Sequence, residues 1–282
     1  MIRIFIIILF SIIFVFAESP ISVSVYGGGL KFNHSKKTSG SVAGVYVMGF
    51  DSPLKVEGDV EHTNINQKDN NDTIKQTDYT LLLHFFKGYN YSYKLGVHKI
   101  HTTDALTKDG VIYALGAMYY KLGKYALKFN SYYSDYSNLE ISPKVIQASP
   151  EVGFTYGSFY LKKPAFYISM KLDYIHPISN RKENNLKSSY ISSSINIVNH
   201  FDKFTTVFNK WYGKRVLAVE NEGFIVHNTI DEELGGFLLS ENYQYDKNQH
   251  FKFSYSYMTF QENENDKISN SNLFLLSYLY NF

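Results

Sequence analysis

The chain has 282 residues, of which 44% are hydrophobic and 17% aromatic, with 25 Tyr, 22 Phe and no Cys. Its 28 Lys and Arg nearly balance 26 Asp and Glu, which removes the electrostatic case for nucleic acid as a partner. Without cysteine, the fold does not depend on disulfides.

Residues 1–17 read as a secretory signal peptide. Arg3 supplies a short basic start, Ile4 to Phe16 are apolar except for Ser11, and Val15-Phe16-Ala17 places small residues at −3 and −1 before Glu18. The apolar stretch would reach only about 20 Å as a helix, short of the ~30 Å hydrocarbon core. No later run is long enough for a spanning helix, so entry into a bilayer requires a closed β-barrel. Removal of the signal leaves 27 basic against 26 acidic residues in a single expected domain, 18–282.

From residue 21 onward the dominant pattern is alternation. In 54–61, Leu54, Val56, Gly58 and Val60 oppose Lys55, Glu57, Asp59 and Glu61. In 166–174, Phe166, Ile168, Met170, Leu172 and Tyr174 oppose Tyr167, Ser169, Lys171 and Asp173. Segments 146–156 and 251–257 behave alike. Successive side chains of a strand point to opposite faces, so each segment has one greasy and one polar side. The segments exceed the five or six residues of an ordinary globular strand and suit a tilted membrane strand.

Strands are expected near 21–33, 40–50, 54–64, 76–87, 90–102, 110–121, 125–136, 145–160, 164–178, 187–199, 204–217, 235–245, 249–261 and 271–282. Short turns such as 51–53, 88–89, 122–124, 161–163, 201–203 and 246–248 alternate with longer polar stretches such as 65–75, 137–144, 179–186 and 262–270. Tight turns at one rim and long loops at the other characterise outer-membrane barrels. The expected fold is therefore all-β, an antiparallel transmembrane barrel of about 14 strands, with 12 or 16 compatible with the same pattern. Two places fit poorly: 110–121 is apolar on both faces, and Asn221-Glu222-Gly223 within 218–234 reads as a hairpin tip beyond the membrane.

The last segment carries Phe274, Leu276, Tyr278, Tyr280 and Phe282 on one parity, with an aromatic residue at 282. This resembles the terminal assembly signal of outer-membrane barrel proteins and implies recognition by the barrel-assembly machinery. In size and pattern, residues 21–282 resemble the monomeric fourteen-stranded porins; no particular family is matched. The resemblance implies outer-membrane lipid as surroundings and small solutes or ions as cargo.

Parity assigns Lys55, Glu57, Asp59, Glu61, Asp78, His84, Lys94, His98, Lys128, Glu151, Lys171, Asp173 and Lys252 to the lumen wall. Glu57, Asp59 and Glu61 form a one-sign stripe, read as a wet wall neutralised by lysines across the interior. No catalytic, metal or cofactor set stands out. His34-Ser35 reads as a solvated loop dipeptide. His98 and His101 face opposite sides of one strand, and His84 with His98 lacks further metal ligands. Gly27-Gly28-Gly29 suggests a bulge or bend. Glu241 falls on the lipid parity, which places it above the bilayer or breaks the register. The function expected is passive diffusion of ions or small hydrophilic solutes. The rivals are a barrel enzyme acting on lipid or peptide and a structural or adhesive barrel with a filled interior.

Overall fold

The computed structural model describes residues 20–68, 73–136, 140–157, 164–262 and 267–282. Among them, fourteen antiparallel strands close into a barrel. In chain order these are β1 (Ile21–Asn33), β2 (Lys37–Asp51), β3 (Leu54–Gln67), β4 (Ile74–Lys87), β5 (Tyr91–Thr102), β6 (Val111–Lys121) and β7 (Tyr125–Asp135). There follow β8 (Lys144–Tyr156), β9 (Ala165–Pro177), β10 (Tyr190–Phe201), β11 (Phe204–Arg215), β14 (Glu232–Gln244), β15 (Gln249–Gln261) and β16 (Ile268–Asn281). Between β11 and β14 lie two short strands outside the wall, β12 (Val219–Glu220) and β13 (Ile225–Val226). Each wall strand pairs with its neighbour in sequence, and β16 closes on β1, so no edge is left unpaired.

The alternation explains the wall. Outward residues such as Leu95, Leu115, Phe129, Ile168, Met170, Leu172 and Leu276 are 41–66% exposed. A belt of this extent suits hydrocarbon, not water. Its lower rim carries paired rings, including Phe204 with Tyr243 and Phe251 with Tyr278, at 5.1 and 5.2 Å between centroids. The inner parity carries the charged and small polar residues.

Several expectations change. Gly27–Gly29 form no bulge, because β1 keeps continuous register with both neighbours. Instead, a side chain at Gly28 would collide with the Phe274 carbonyl, so glycine permits the close approach of β16. Ser35 is not solvated. It is 3% exposed, and its hydroxyl donates to Glu262, which also accepts from the Lys36 backbone N–H at 3.0 Å. One buried carboxylate thus ties down a turn shorter than the expected loop. Glu241 keeps its outward register, paired with Phe253, and accepts a 2.7 Å hydrogen bond from Thr206 just above the Phe204–Tyr243 pair. The expected signal peptide, 1–17, and the expected turn Leu161-Lys162-Lys163 lie outside the described residues.

The largest correction concerns 218–234. Rather than extending beyond the membrane, the segment folds into the lumen. Val216, Leu217, Ala218 and Val219 are 1–2% exposed and pack against Ile100, Ile112, Ala114, Tyr132, Val145, Ile175 and Tyr190. Water beyond a membrane would penalise that apolar run, whereas the inner faces of β5–β10 offer it a dry surface. The same contact explains the second apolar face of 110–121: Ile112 and Ala114 are inward residues covered by the insert.

Candidate functional site

The insert is a small hairpin. Val219 pairs with Val226 and Glu220 with Ile225. The turn between them holds Asn221, Glu222 and Gly223 all at positive φ, where Gly and Asn are tolerated and Glu is strained. Since a buried backbone must find partners, the Gln147 side chain bonds both the Val219 N–H and its carbonyl, each at 2.8 Å. Asn228 reaches Gln76 of β4 at 2.6 Å.

The hairpin root is held by charge. Arg215, 2% exposed, donates to Glu233 at 2.6 Å and to Glu220, and its guanidinium lies 3.5 Å from the Trp211 ring centroid. His227 bridges the same carboxylates, 2.6 Å from Glu233 and 3.1 Å from Glu220. Burial opposes the charged imidazole, but Glu233 and Glu220 outweigh it and hold its pKa at about 9. Burial likewise opposes the Glu220 carboxylate, and Arg215 and His227 overcome it, leaving its pKa well below the usual range. At neutral pH the root is therefore two cations on two anions.

The thirteen residues expected in the lumen do not form one wall. Glu57 is neutralised locally by Lys55 at 2.7 Å, lies 2.6 Å from His84 and accepts a hydrogen bond from Tyr46. Lys128 pairs with Glu151 at 3.2 Å, Lys171 with Asp173 at 3.1 Å, and Lys94 with Glu222 of the hairpin tip at 3.4 Å. His98 Nε2 lies 3.6 Å from Asp78. Asp59 and Glu61 differ: their shared contact is the Tyr26 hydroxyl, at 3.0 and 3.1 Å, and no base among the described residues faces them at ion-pair distance. Gly44 makes this possible, since any side chain there would collide with the Tyr26 ring as it crosses β2 to reach β3. Lys252 likewise has no ion-pair partner among the described residues. Neutralisation of the stripe by lysines across the interior is thus corrected: Glu57 is neutralised by Lys55 of its own strand, and its two neighbours have no ion-pair partner among the described residues.

Space remains beside the hairpin. A cavity of about 450 Å³ is lined by Tyr26, Glu57, Asp59, Glu61, Glu222 and Lys252, among others. A smaller one, about 240 Å³, is lined by Lys55, His84, Lys94, Lys128 and Glu222. Glu222 stands between an acidic chamber and a basic one. Among the described residues, no three His, Asp or Glu groups are placed to hold a metal ion.

No family model and no curated protein matches this sequence. Solved structures do. A bacterial polysaccharide outer membrane secretin superposes with a TM-score of 0.58 at 6% identity, covering 93% of this chain and 98% of that one. The Pseudomonas putida toluene transporter TodX gives 0.55 at 7%, covering 93% and 89%. The Ralstonia pickettii toluene transporter TbuX gives 0.55 at 7%, covering 94% and 90%. The fold is that of an outer-membrane β-barrel. At these identities the likeness is one of fold, and the interior must be read from its own residues.

Read so, the lumen is partly filled by the hairpin, with a cavity left on either side of Glu222. The hairpin covers the inner faces of β5–β10, while β14–β16 and β1–β3 border the larger cavity. Sequence parity missed Arg215, Glu220, Glu222, His227 and Glu233, which act through the insert, and Tyr26 and Tyr46, whose hydroxyls donate to carboxylates of β3. A signal for the insert did exist: Val216-Leu217-Ala218-Val219 is an apolar run flanked by turn residues, and such a run needs burial. Tyr26 follows Ser22 and Ser24 on the polar parity of β1, where an aromatic side chain faces the lumen rather than the lipid, whereas Tyr46 shares its parity with Val42, Gly44 and Met48, which gives no such signal.

Proposed function

We propose that this barrel is an outer-membrane channel for passive diffusion of ions or small hydrophilic solutes, narrowed by its inserted hairpin. The observation that carries the reading is the 450 Å³ cavity beside the hairpin, bordered by Asp59, Glu61 and Lys252, which have no counter-ion among the described residues. A filled structural interior has no reason to leave Asp59, Glu61 and Lys252 uncompensated, whereas a water path tolerates them and uses their fields to bias entry. The toluene transporters TodX and TbuX, which share this fold, support a conduit.

In the same reading, residues 1–17 direct export and are removed, 18–282 form the single barrel domain, outer-membrane lipid surrounds its belt, and the barrel-assembly machinery reads the outward Phe274, Leu276, Tyr278, Tyr280 and Phe282. The apolar plug Val216–Val219 supports a second reading, a structural barrel with a filled interior. Single-channel recording of refolded protein in a planar bilayer separates the two. Discrete conductance steps, enlarged when residues 219–226 are replaced by a short Gly-Ser linker, support the channel. Silence from both proteins supports the filled barrel.

A further inference from the structure

Six inward residues lie on one continuous row of the wall. Lys252 of β15 pairs with Ser277 of β16, Ser277 with Tyr26 of β1, Tyr26 with Gly44 of β2, Gly44 with Glu61 of β3, and Glu61 with Asp78 of β4. The row begins with a cation and ends with two acids, and Asp59 sits one inward step from Glu61. The larger cavity borders the row from Lys252 to Glu61.

The acidic end is short of donors. Tyr26 has one proton for three carboxylate oxygens at 3.0–3.1 Å. Glu61 receives only a further 3.3 Å contact from Thr63. Beside them, Asp78 Oδ1 and His98 Nε2 are buried, face each other at 3.6 Å, and have no hydrogen-bond partner; His98 is 2% exposed. Buried acceptors without donors are costly, and an ammonium group brings three N–H donors and a positive charge. At the other end, Lys252 reaches into the same cavity without a counter-ion, near His250, with Ser24, Ser254 and Ser277 along the floor.

We propose, building on the channel reading, that this cavity binds a small zwitterion, its amine at Asp59 and Glu61 and its carboxylate at Lys252. A simple amine leaves Lys252 uncompensated, and a simple carboxylate leaves the acid pair. A solute carrying both charges satisfies both ends. Four strand spacings of about 4.8 Å separate β15 from β3. The curvature of the wall and the inward reach of Lys252 and Glu61 shorten that span to a short peptide, longer than one amino acid. The cavity volume falls within the roughly 300–1,000 Å³ typical of small-molecule sites.

The test uses three probes: alanylalanine, its N-acetyl form (an anion) and its methyl ester (a cation). Equilibrium binding to the folded full-length barrel in detergent is measured beside interruption of single-channel current. Alanylalanine should bind at least 10-fold more tightly than either blocked form. Lys252→Gln, which removes no ion pair, should bring alanylalanine down to the ester. Asp59→Asn with Glu61→Gln should bring it down to the acetyl form. Equal binding of all three probes overturns the proposal, as does an ester as good as alanylalanine, which would mean a plain cation site. A conducting barrel without discrimination refutes the site alone. A silent barrel with saturable alanylalanine binding refutes the channel and keeps the site.

Discussion

Arg215→Met tests whether the ion cluster at the hairpin root holds the constriction in place. The substitution keeps a side chain against Trp211 and removes the cation from Glu220 and Glu233. Breaking one side of a buried pair costs about 3–5 kcal/mol, because the remaining charge stays buried without its partner. The apolar anchor opposes release. Val216, Leu217 and Val219, each 1–2% exposed, contribute about 1.5–3 kcal/mol apiece as an upper bound. The hairpin should therefore remain inside most of the time, while its displaced population rises about 100- to 1,000-fold or somewhat more, at about 1.4 kcal/mol per decade. In single-channel records this means frequent large-conductance excursions that are rare in the parent protein. Lys214→Met is the control. Lys214 pairs with Glu232 but is 53% exposed, and an exposed pair is worth about 1 kcal/mol or less, no more than roughly fivefold. Equal excursion frequencies in Arg215→Met and the parent would refute the anchoring argument, and equal effects of the two substitutions would refute its basis in burial.

Further outcomes follow from the same structure. The His227 pKa is raised to about 9 from an ordinary 6.5, so its stabilisation of the hairpin is complete below about pH 6.5 and is lost as pH rises through 9. Excursions should become more frequent between pH 7 and 10, and His227→Gln should flatten that profile; an unchanged slope in the variant would assign the effect elsewhere. Ile168→Arg, on an outward residue 41% exposed, should cost about 2–4 kcal/mol near the bilayer midplane, whereas Lys252→Gln on the inner wall should cost much less in the same denaturant titration. Deleting Phe282 should lower the level of heat-modifiable barrel in cells, and an unchanged level counts against recognition of that residue. Asp59→Asn with Glu61→Gln should shift the reversal potential under a salt gradient toward anions, most clearly at low salt, while Glu57→Gln alone should shift it less, because Lys55 already offsets Glu57.

The wall was legible because one physical rule governs all of it. A strand between lipid and water must alternate, so Leu54, Val56 and Val60 against Glu57, Asp59 and Glu61 reveal the facing of β3 without reference to any other strand. Chain-neighbour pairing then follows from short connections, and closure follows from the cost of an open edge in lipid. The hairpin obeys none of these rules. Its direction is set by the dry patch that Ile112, Tyr132, Ile175 and their neighbours make together, and that patch exists only once β5–β10 are side by side. Parity counts such residues as misfits in a polar wall; three dimensions make them a socket.

The same distinction separates the three carboxylates of the stripe. By parity Glu57, Asp59 and Glu61 are equivalent. In the barrel they are not, because Lys55 and His84 reach Glu57 within hydrogen-bonding distance, while the row through Glu61 offers only a phenol, a missing side chain at Gly44 and another acid at Asp78. Charge on a lumen wall has functional consequence where it is uncompensated, and compensation is a property of cross-strand register. A one-residue slip between β1 and β2 would move Gly44 out of the path of Tyr26 and block its crossing to β3. Asp59 and Glu61 would then lose their shared donor. On the channel reading, selectivity depends on a register that four hydrogen-bonded strands, from β1 to β4, fix jointly.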